Sequence, residues 1–485
     1  MNDVQVRRLD GETAAIVQDE VEALRGRVGR QLIMSGDADY AEARRVWNGM
    51  IDRRPALIVR CRGNADVIAS IGFAAEHGLL LAVRGGGHNV AGFGTCDGGM
   101  VIDLSPMRGA RVDPATETVR VGGGATWADV DRETQVHGLA VPGGIVSTTG
   151  VAGLTLGGGQ GWLRRTYGMT CDSLVSADVV LADGRLVTAS EGMHADLFWA
   201  LRGGGGNFGV ATSFEFRAHP VGPTVAFAGP FYPLESASAV MGGVREFADS
   251  APDEVNVSTT WWTIPPVPAF PEELHGRVGI VVGAVYVGPA ERGERILEPL
   301  RELDRPLLDL SGTFPYQALQ QMFDPFFPAG ALHYYWKSLY LRGLGDEVVR
   351  IVADHVRSRP SPRSMVSIWA LGGALGRVEP SSTATGSRDA PFLVEILGNW
   401  DDRSASDANI RWVRELFRAL EAHGTGKTNV NFPGLGNDPE FGRAAFGDQW
   451  ARLVEIKGKY DPRNLFRLNQ NIVPRRAATG RPLSR

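Results

Sequence analysis

The sequence predicts an α+β protein in two parts: an N-terminal part of alternating strands and helices, and a second part with a large, largely antiparallel sheet backed by helices. Three observations support this prediction. A β-α-β pattern fills residues 55–83, glycines concentrate twice before residue 170, and strand-like runs alternate with helices after Pro220–Pro223. Such a change of pattern is typical of a boundary between two layered units.

The first elements lead the chain into a turn of glycines. Residues 21–49 are predicted to be helical, 55–61 form a β-type run, 64–77 have apolar residues at helical spacing, and 79–83 form the next strand. The strand runs into Arg84-Gly85-Gly86-Gly87-His88-Asn89. Because consecutive glycines cost backbone entropy, they indicate unusual dihedrals or a group pressed against the backbone, and exposed amides in such a turn bind anions, above all phosphate.

A second glycine concentration follows two strands and a helix. The strands are predicted at Val101–Leu104 and Thr118–Val121, and the helix at Thr126–Val136. Residues 141–168 are dense in glycine, yet they include apolar side chains such as Trp162 that are untypical of a flexible linker. We therefore expect an extended loop wrapped closely around a ligand.

The remaining elements are predicted from the same patterns. Residues 177–184 are a strand closed by an Asp-Gly turn, and residues 196–216 are a helix that ends in glycines and leads into a strand. Strands of the second part are predicted at Thr224–Phe231, Asn256–Ile264, Val278–Val287, Tyr334–Leu341, Met365–Leu371 and Phe392–Leu397. Helices are predicted to begin near Ser236, Pro289, Pro315, Asp346 and Ser404, and an amphipathic helix over Phe446–Lys457.

The glycine turn with its histidine resembles the flavin-attachment loop of the berberine-bridge-enzyme-like FAD-linked oxidases. This family belongs to the vanillyl-alcohol-oxidase superfamily, and the resemblance is to its bacterial branch around 6-hydroxy-D-nicotine oxidase. Residues 141–168, 171–184 and 196–210, and the tail Leu468–Ile472, match further motifs of the family in the same order. The resemblance covers nearly the whole chain, and the ordered set is more specific than any single motif. No Rossmann fingerprint occurs, which disfavours a nicotinamide cofactor.

The resemblance implies a division of the chain and a set of FAD-binding positions. It implies a PCMH-type FAD-binding domain of two α/β subdomains at residues 1–219, with a core at about 50–219, and a substrate-binding domain at residues 220–432. Residues 433–485 would form a C-terminal element that returns to the FAD domain. The residues implied to bind FAD are Arg84, Gly85, Gly86, Gly87, His88, Asn89, Thr148, Thr149, Gly150, Gly153, Gly157, Gly158, Gly209, Val210, Asn469 and Asn471.

The resemblance also implies how the flavin is attached and how oxygen reaches it. His88 would bond covalently to the 8-methyl carbon of the isoalloxazine ring, which makes the flavin a stronger oxidant. Many relatives add a cysteine link, but Val146 stands at that position and cannot form it, so single attachment is expected. Thr149 stands where the family has a residue that gates oxygen, and Leu154 would line the same pocket.

The proton acceptor is the part of the chemistry for which the sequence leaves alternatives. Many relatives carry a tyrosine where this chain has Asn429, and an amide is no base near neutral pH. Strand alternation places Tyr335 and Lys337 on one face of their strand and Tyr334 and Trp336 on the other. If the first pair faces the flavin, Lys337 could lower the pKa of the Tyr335 phenol. The alternative is a strand edge with a solvated Lys337.

Composition excludes several other classes of protein. Lys and Arg number 50 against 55 Asp and Glu, so no nucleic-acid partner is expected. Three cysteines cannot make a disulfide framework, no histidine spacing indicates a metal site, and no apolar run approaches the ~20 residues that cross a membrane. The first residues lack a secretory pattern, so we expect a cytoplasmic location.

The resemblance therefore predicts an FAD-dependent oxidase. It would move two electrons as hydride from a small alcohol, amine or phenolic natural product of secondary metabolism to flavin N5, and then to O2, giving hydrogen peroxide. Two alternatives stay open: an oxygenase that hydroxylates its substrate through an oxygenated flavin, and a catalytically silent flavin-binding protein. Neither the individual substrate nor the oligomeric state can be predicted from the sequence.

Overall fold

The protein is described by a computed structural model that covers residues 3–436 and 439–475. The strands up to residue 220 are β1 (Val4–Arg7), β2 (Thr13–Ile16), β3 (Leu32–Met34), β4 (Leu57–Arg60), β5 (Leu81–Arg84), β6 (Met100–Asp103), β7 (Ala110–Asp113), β8 (Thr118–Gly122), β9 (Leu139–Ala140), β10 (Leu174–Val180), β11 (Leu186–Ser190), β12 (Val210–Arg217) and β13 (His219–Pro220). Those after it are β14 (Thr224–Ala228), β15 (Pro230–Pro233), β16 (Val255–Thr263), β17 (Val278–Tyr286), β18 (Leu308–Asp309), β19 (Gly312–Pro315), β20 (His333–Leu341), β21 (Met365–Ala370) and β22 (Phe392–Trp400).

The α-helices alternate with these strands. They are α1 (Gln18–Val28), α2 (Tyr40–Ala43), α3 (Asn64–His77), α4 (Trp127–Thr134), α5 (Val151–Leu156), α6 (Arg164–Tyr167), α7 (Ala195–Leu201), α8 (Ala237–Ser250), α9 (Ala290–Leu297), α10 (Tyr316–Gln321), α11 (Asp346–Arg357), α12 (Gly373–Arg377), α13 (Ser406–Glu421), α14 (Pro439–Phe446) and α15 (Trp450–Tyr460). Within the described part of the chain, no helix is both long and apolar enough to span a bilayer.

The N-terminal part contains two sheets of different kinds. The first has the order β3-β4-β6-β5, and β4, β6 and β5 run parallel, so their carboxyl ends meet at one edge. The glycine turn begins at that edge, directly after β5. The second sheet has the order β11-β10-β12-β8-β7 and is antiparallel throughout. These two sheets with their helices agree with the two α/β subdomains that the resemblance implies for this part of the chain.

The second part is one broad antiparallel sheet. Its strands follow the order β18-β15-β17-β16-β21-β22-β20, and β14 and β19 extend it beside β17. Helices α8, α11 and α13 cover one face, where their apolar side chains form a single core with the strands. The predicted large antiparallel sheet backed by helices is confirmed.

Four elements differ from the sequence prediction. The helix predicted over Phe446–Lys457 begins only at Trp450, because Phe446 ends α14 and a turn at residues 447–449 separates the two helices. The strand predicted at Thr224–Phe231 is two strands, β14 and β15, because the chain breaks at Gly229 between them. The predicted helix over residues 21–49 ends at Val28, and the chain continues into β3 and the short α2. The glycine-dense residues 141–168 were predicted as extended loop, but they contain the short helices α5 and α6.

The tail packs against the N-terminal part. Leu453 and Ile456 of α15 share a core with Leu197 and Phe198 of α7. The fully buried Lys457 donates to Asp461 at 2.7 Å and to the carbonyl of Asn207 at 2.7 Å. The tail thus reaches the same side of the molecule as the glycine loops, whereas the limits at residues 219 and 432 stay predictions.

Candidate active site

A cavity of about 300 Å³ lies between the glycine loops of the N-terminal part and the face of the large sheet that the helices leave uncovered. The tail closes one side through Leu468, Asn469 and Gln470. The structure brings together at this cavity most of the residues that the sequence singles out: Arg84, Gly85, Gly86, Gly87, His88, Asn89, Val146, Thr149, Gly150, Gly153, Leu154, Gly157, Gly209, Asn429 and Asn469.

Four residues implied to bind FAD do not line the cavity. Thr148 is exposed. Gly158 has a φ of +99°, and a Cβ there would lie 2.9 Å from the Thr385 hydroxyl. Val210 is buried in an apolar core, and Asn471 is not among the residues that line the cavity. The resemblance thus names segments that reach the cavity, and the FAD contacts of the individual residues stay predictions.

The glycines of the two loops are required by contact between the loops themselves. A Cβ on Gly86 would lie 2.5 Å from the Cα of Gly150, and a Cβ on Gly85 would lie 2.9 Å from the carbonyl oxygen of Gly123. Gly87 has a φ of +67°, a conformation that side chains disfavour. The group pressed against the glycine backbone is therefore in part the backbone of the next loop.

His88 is held in a stack of aromatic rings. Its imidazole lies 3.9 Å from the ring centroid of Trp47 at 20°, and Trp47 lies 3.8 Å from Tyr334 at 18°. The Trp47 indole donates to the carbonyl of Phe327 at 3.2 Å. Burial lowers the pKa of His88 to about 3, so the ring is neutral near pH 7. Its Nε2 is buried and has no hydrogen-bond partner among the described residues.

Arg84 stabilises the start of the glycine turn through hydrogen bonds to neighbouring segments. Its guanidinium donates to Asp103 at 2.8 Å and to the carbonyls of Ala43 and Arg45 at 2.6 and 3.0 Å. Both members of the ion pair are buried. This side chain therefore joins the end of β5 to β6, to the last residue of α2 and to the segment that follows it.

The structure corrects the prediction that Tyr335 and Lys337 face the flavin. Tyr335 lies in the core beneath the helices, where its hydroxyl accepts from Arg414 of α13 at 3.1 Å. The Lys337 ammonium lies 4.1 Å from the ring centroid of Phe417 on the same helix. The alternation was predicted correctly, but the cavity lies on the face of Tyr334 and Trp336, because α13 covers the other face.

The cavity instead contains a carboxyl group that the sequence prediction missed. Glu395 of β22 lines the wall and accepts from the indole nitrogen of Trp369 at 2.9 Å. Burial raises its pKa to about 7, although the Trp369 hydrogen bond and Arg164 act in the opposite direction. A single glutamate within the apolar run Phe-Leu-Val-Glu-Ile-Leu was the signal that could have identified it.

Aromatic side chains form the rest of the sheet wall. Trp336, Trp369, Phe432 and Phe327 line the cavity, and the rings of Trp336 and Phe432 stack at 5.7 Å. The Trp336 indole donates to Asn399 at 2.7 Å, which fixes its orientation. A wall of this kind suits a flat, apolar molecule.

Asn429 is at the cavity, but its amide oxygen is engaged in a local turn. That oxygen accepts from the backbone nitrogen of Asn431 at 3.0 Å, and the backbone nitrogen of Asn429 donates to Ser338 at 3.1 Å. The residue shapes the segment that carries Phe432 onto the wall. Among the described residues, no cluster of three or more His, Cys, Asp or Glu could hold a metal ion.

The residues present fit a flavin dinucleotide. Closely packed glycine loops expose backbone amides, which suit a pyrophosphate. Buried polar atoms of His88 and Asn469, which both line the cavity, have no partner within the described chain. A neutral histidine at one end and an aromatic wall opposite the loops provide the surroundings that a large, flat, polar-edged cofactor needs.

Comparisons with known proteins agree with this fit. The family model "FAD binding domain" matches residues 55–190, and "Berberine and berberine like" matches residues 427–473. The FAD-linked oxidoreductase YgaK of Bacillus subtilis is 32% identical, over 92% of this chain and 97% of its own length. The (R)-6-hydroxynicotine oxidase of Paenarthrobacter nicotinovorans is 30% identical, over 92% of this chain and 96% of its own. The crystal structure of 6-hydroxy-D-nicotine oxidase from Arthrobacter nicotinovorans superposes with a TM-score of 0.81 at 26% identity, covering 92% of this chain and 98% of that one.

Fold and cavity together thus define an FAD-dependent oxidoreductase. The chain belongs to the berberine-bridge-enzyme-like family of FAD-linked oxidoreductases, with the two-part architecture that its motifs predict.

Proposed function

We propose that this enzyme is an oxidase that takes two electrons from a small alcohol, amine or phenolic compound and passes them to dioxygen, giving hydrogen peroxide. The observation that carries the proposal is the position of Glu395. Its carboxyl group lies on an aromatic wall, across the cavity from loops that suit a flavin. When bound, FAD accepts the hydride and returns the electrons to oxygen.

Glu395 is the group that accepts the substrate proton. A carboxyl with a pKa near 7 is half ionised near neutral pH, which is the range where a general base works best. Its hydrogen bond from Trp369 directs the carboxylate along the sheet wall. Asn429 contributes shape rather than acid–base chemistry, because its amide does not titrate.

The sheet wall also limits the class of substrate. Trp336, Trp369 and Phe432 offer flat apolar surfaces, and none of the described residues on the sheet side of the cavity carries a positive charge. An anionic substrate would meet the carboxylate without a counter-charge. We therefore propose a flat, neutral or cationic substrate with a hydroxyl or amino group placed at Glu395.

His88 is proposed to bond to the 8-methyl carbon of the flavin, as the sole covalent attachment. The neutral imidazole with a buried, unpartnered Nε2 supports this, since only a deprotonated ring nitrogen is nucleophilic. Val146 lines the cavity where many relatives have a cysteine and cannot form a second bond. Thr149 and Leu154 also line it, and we propose that oxygen reaches the flavin beside them.

Attachment is tested by acid precipitation of the purified protein with intact mass measurement. We expect yellow colour in the pellet and a mass increase of one FAD that disappears in His88→Ala. His77→Ala is the matched control, because His77 ends α3 away from the cavity and should leave attachment unchanged. Release of flavin from the wild-type protein by acid would show that His88 is not linked.

Oxidase activity is tested by anaerobic mixing with a panel of aromatic alcohols, amines and phenols, followed by aeration. We expect bleaching of the flavin by at least one compound and one peroxide per substrate oxidised. Substrate hydroxylation with less peroxide would indicate an oxygenase instead. A loaded flavin that no compound of the panel reduces would favour a flavin-binding protein without catalysis.

A further inference from the structure

Arg164 is a buried arginine in an unusual setting behind the sheet wall. It is fully buried, and its guanidinium donates to three backbone carbonyls, of Gly161 and Ala370 at 3.0 Å each and of Val257. No carboxylate forms an ion pair with it among the described residues. Since a guanidinium stays protonated in proteins, it is a buried charge that carbonyl dipoles only partly compensate.

The face of this guanidinium lies against Trp369. The Cζ atom of Arg164 is 4.6 Å from the indole centroid, within the range of a cation–π contact. The edge of the same indole donates from its nitrogen to Glu395 at 2.9 Å. One tryptophan thus contacts the cation with its face and the carboxylate with its edge.

We infer that Arg164 is a positioning residue for Glu395, acting through the Trp369 indole that contacts both. The inference rests on the proposed role of Glu395 as the proton acceptor. The guanidinium fixes the plane of the indole, and therefore the direction of its N–H. Its positive charge favours the ionised carboxylate, and the carboxylate in turn opposes the effect of burial on the pKa of Arg164.

The other groups around Glu395 do not supply the positive charge that favours its ionised form. Ser338 and Ser367 are its partners on the neighbouring strands β20 and β21, and neither titrates. The Tyr340 phenol, which accepts from Gln160 at 3.2 Å, is kept neutral because burial raises its pKa. The nearby Arg388 is paired with Asp172 at 2.6 Å. Arg164 is thus the buried cation beside the wall that lacks an acidic partner of its own.

The chain offers a matched control in the next residue. Arg165 is also buried and also donates to three carbonyls, of Val255 at 2.9 Å, Ala251 at 3.0 Å and Leu371 at 2.5 Å. The charged groups that act on its pKa are Asp253 and Arg377, and Glu395 is not one of them. Replacing Arg165 removes the same side chain from the same short helix without changing the indole contact.

The test is an infrared titration of the carboxyl stretch of the purified, flavin-loaded protein, with the Glu395 band assigned by its loss in Glu395→Gln. In the wild type we expect a midpoint near 7. Arg164→Met should raise the midpoint by about one unit, the usual effect of removing a close opposite charge. Arg165→Met should leave it in place. An unchanged midpoint in Arg164→Met, or an equal rise in Arg165→Met, would overturn the inference.

Two further variants keep the inference testable if Arg164→Met does not fold. Trp369→Phe removes the N–H donor but keeps a ring beneath the guanidinium, and it should also raise the Glu395 midpoint. Arg164→Lys keeps the charge and should give a midpoint between those of the wild type and Trp369→Phe. A wild-type midpoint in Trp369→Phe would contradict the inference. Because the infrared titration needs no substrate, its outcome is separate from whether Glu395→Gln abolishes turnover.

Discussion

The two walls of the cavity are built in different ways. The loop wall is made of backbone: Gly86 and Gly150 let two loops approach so closely that a single methyl group would collide. The sheet wall is made of side chains, with Glu395 and Trp369 on the neighbouring strands β22 and β21, whose hydrogen bonds to each other come from the backbone. The loop wall therefore tolerates few substitutions, whereas the sheet wall can change its chemistry without changing the fold.

Glu395→Gln should lower the rate of flavin reduction more than any other change, because it removes the proposed proton acceptor and leaves the loop wall unchanged. Glutamine keeps an oxygen that can accept from Trp369, but it cannot take a proton. We expect the rate of flavin reduction by a substrate to fall about 10²- to 10⁴-fold, the usual contribution of a general base. Stopped-flow absorbance measures this rate. Flavin content should equal that of the wild type, and unchanged reduction would remove Glu395 from the mechanism.

The pH dependence of the same rate should be the next largest effect. Since burial raises the pKa of Glu395 to about 7, the acid is protonated below that pH and cannot accept a proton. We expect the rate constant for reduction at limiting low substrate to fall about tenfold per pH unit below 7 and to level off above it. A profile that is flat from pH 5 to 8 would contradict this assignment, provided the substrate itself does not titrate in that range.

Gly86→Ala tests the loop wall. The added Cβ would lie 2.5 Å from the Cα of Gly150, and two backbones cannot separate cheaply. We expect a loss of about 1–3 kcal/mol in the free energy of unfolding, seen as a lower urea midpoint, together with poor flavin retention. Gly72→Ala is the matched control, because Gly72 lies in α3 away from the cavity and a Cβ there would have no heavy atom within 4 Å outside its own helix. Equal destabilisation by both changes would show that loop contact is not the cause.

Tyr335→Phe should have the smallest effect, because its hydroxyl lies on the helix side of the sheet. The change removes the contact with Arg414, a half-exposed interaction, and leaves the cavity intact. We expect flavin reduction within about twofold of the wild type and a stability loss of about 1 kcal/mol or less. A large loss of activity with normal stability would place Tyr335 in the catalytic machinery after all.

The sequence allowed the loop wall to be predicted better than the sheet wall, for a physical reason. Close backbone contact requires glycine at Gly86, just before His88, and at Gly150. These glycines are therefore recognisable as a motif in the sequence. Tyr335 and Glu395 could not be assigned to opposite faces, because strand alternation separates two faces without showing which one a helix will cover. That depends on α13, which follows later in the chain and packs against β20 and β22.

The sequence predicted the main sheets of the fold correctly, and the elements that it predicted wrongly are short and local. The break at Gly229 and the short helix α5 depend on tertiary contacts that single-sequence periodicity does not contain. Trp47 was missed because nothing near it in the chain resembles a motif. It becomes a site residue only when the chain folds back against His88 and Tyr334.

The segment around Trp47 bears on how a minimal flavin-binding fragment could be designed. Asn48 donates to the carbonyls of Val90 and Tyr334 at 2.7 and 2.9 Å, and so joins the histidine loop to the large sheet. Both residues precede residue 55, where the matched FAD-binding region begins. A truncated fragment that starts there would keep every glycine of the two loops and His88 itself, but it would lose the Trp47 ring that orients the histidine and the Asn48 amide that anchors its loop.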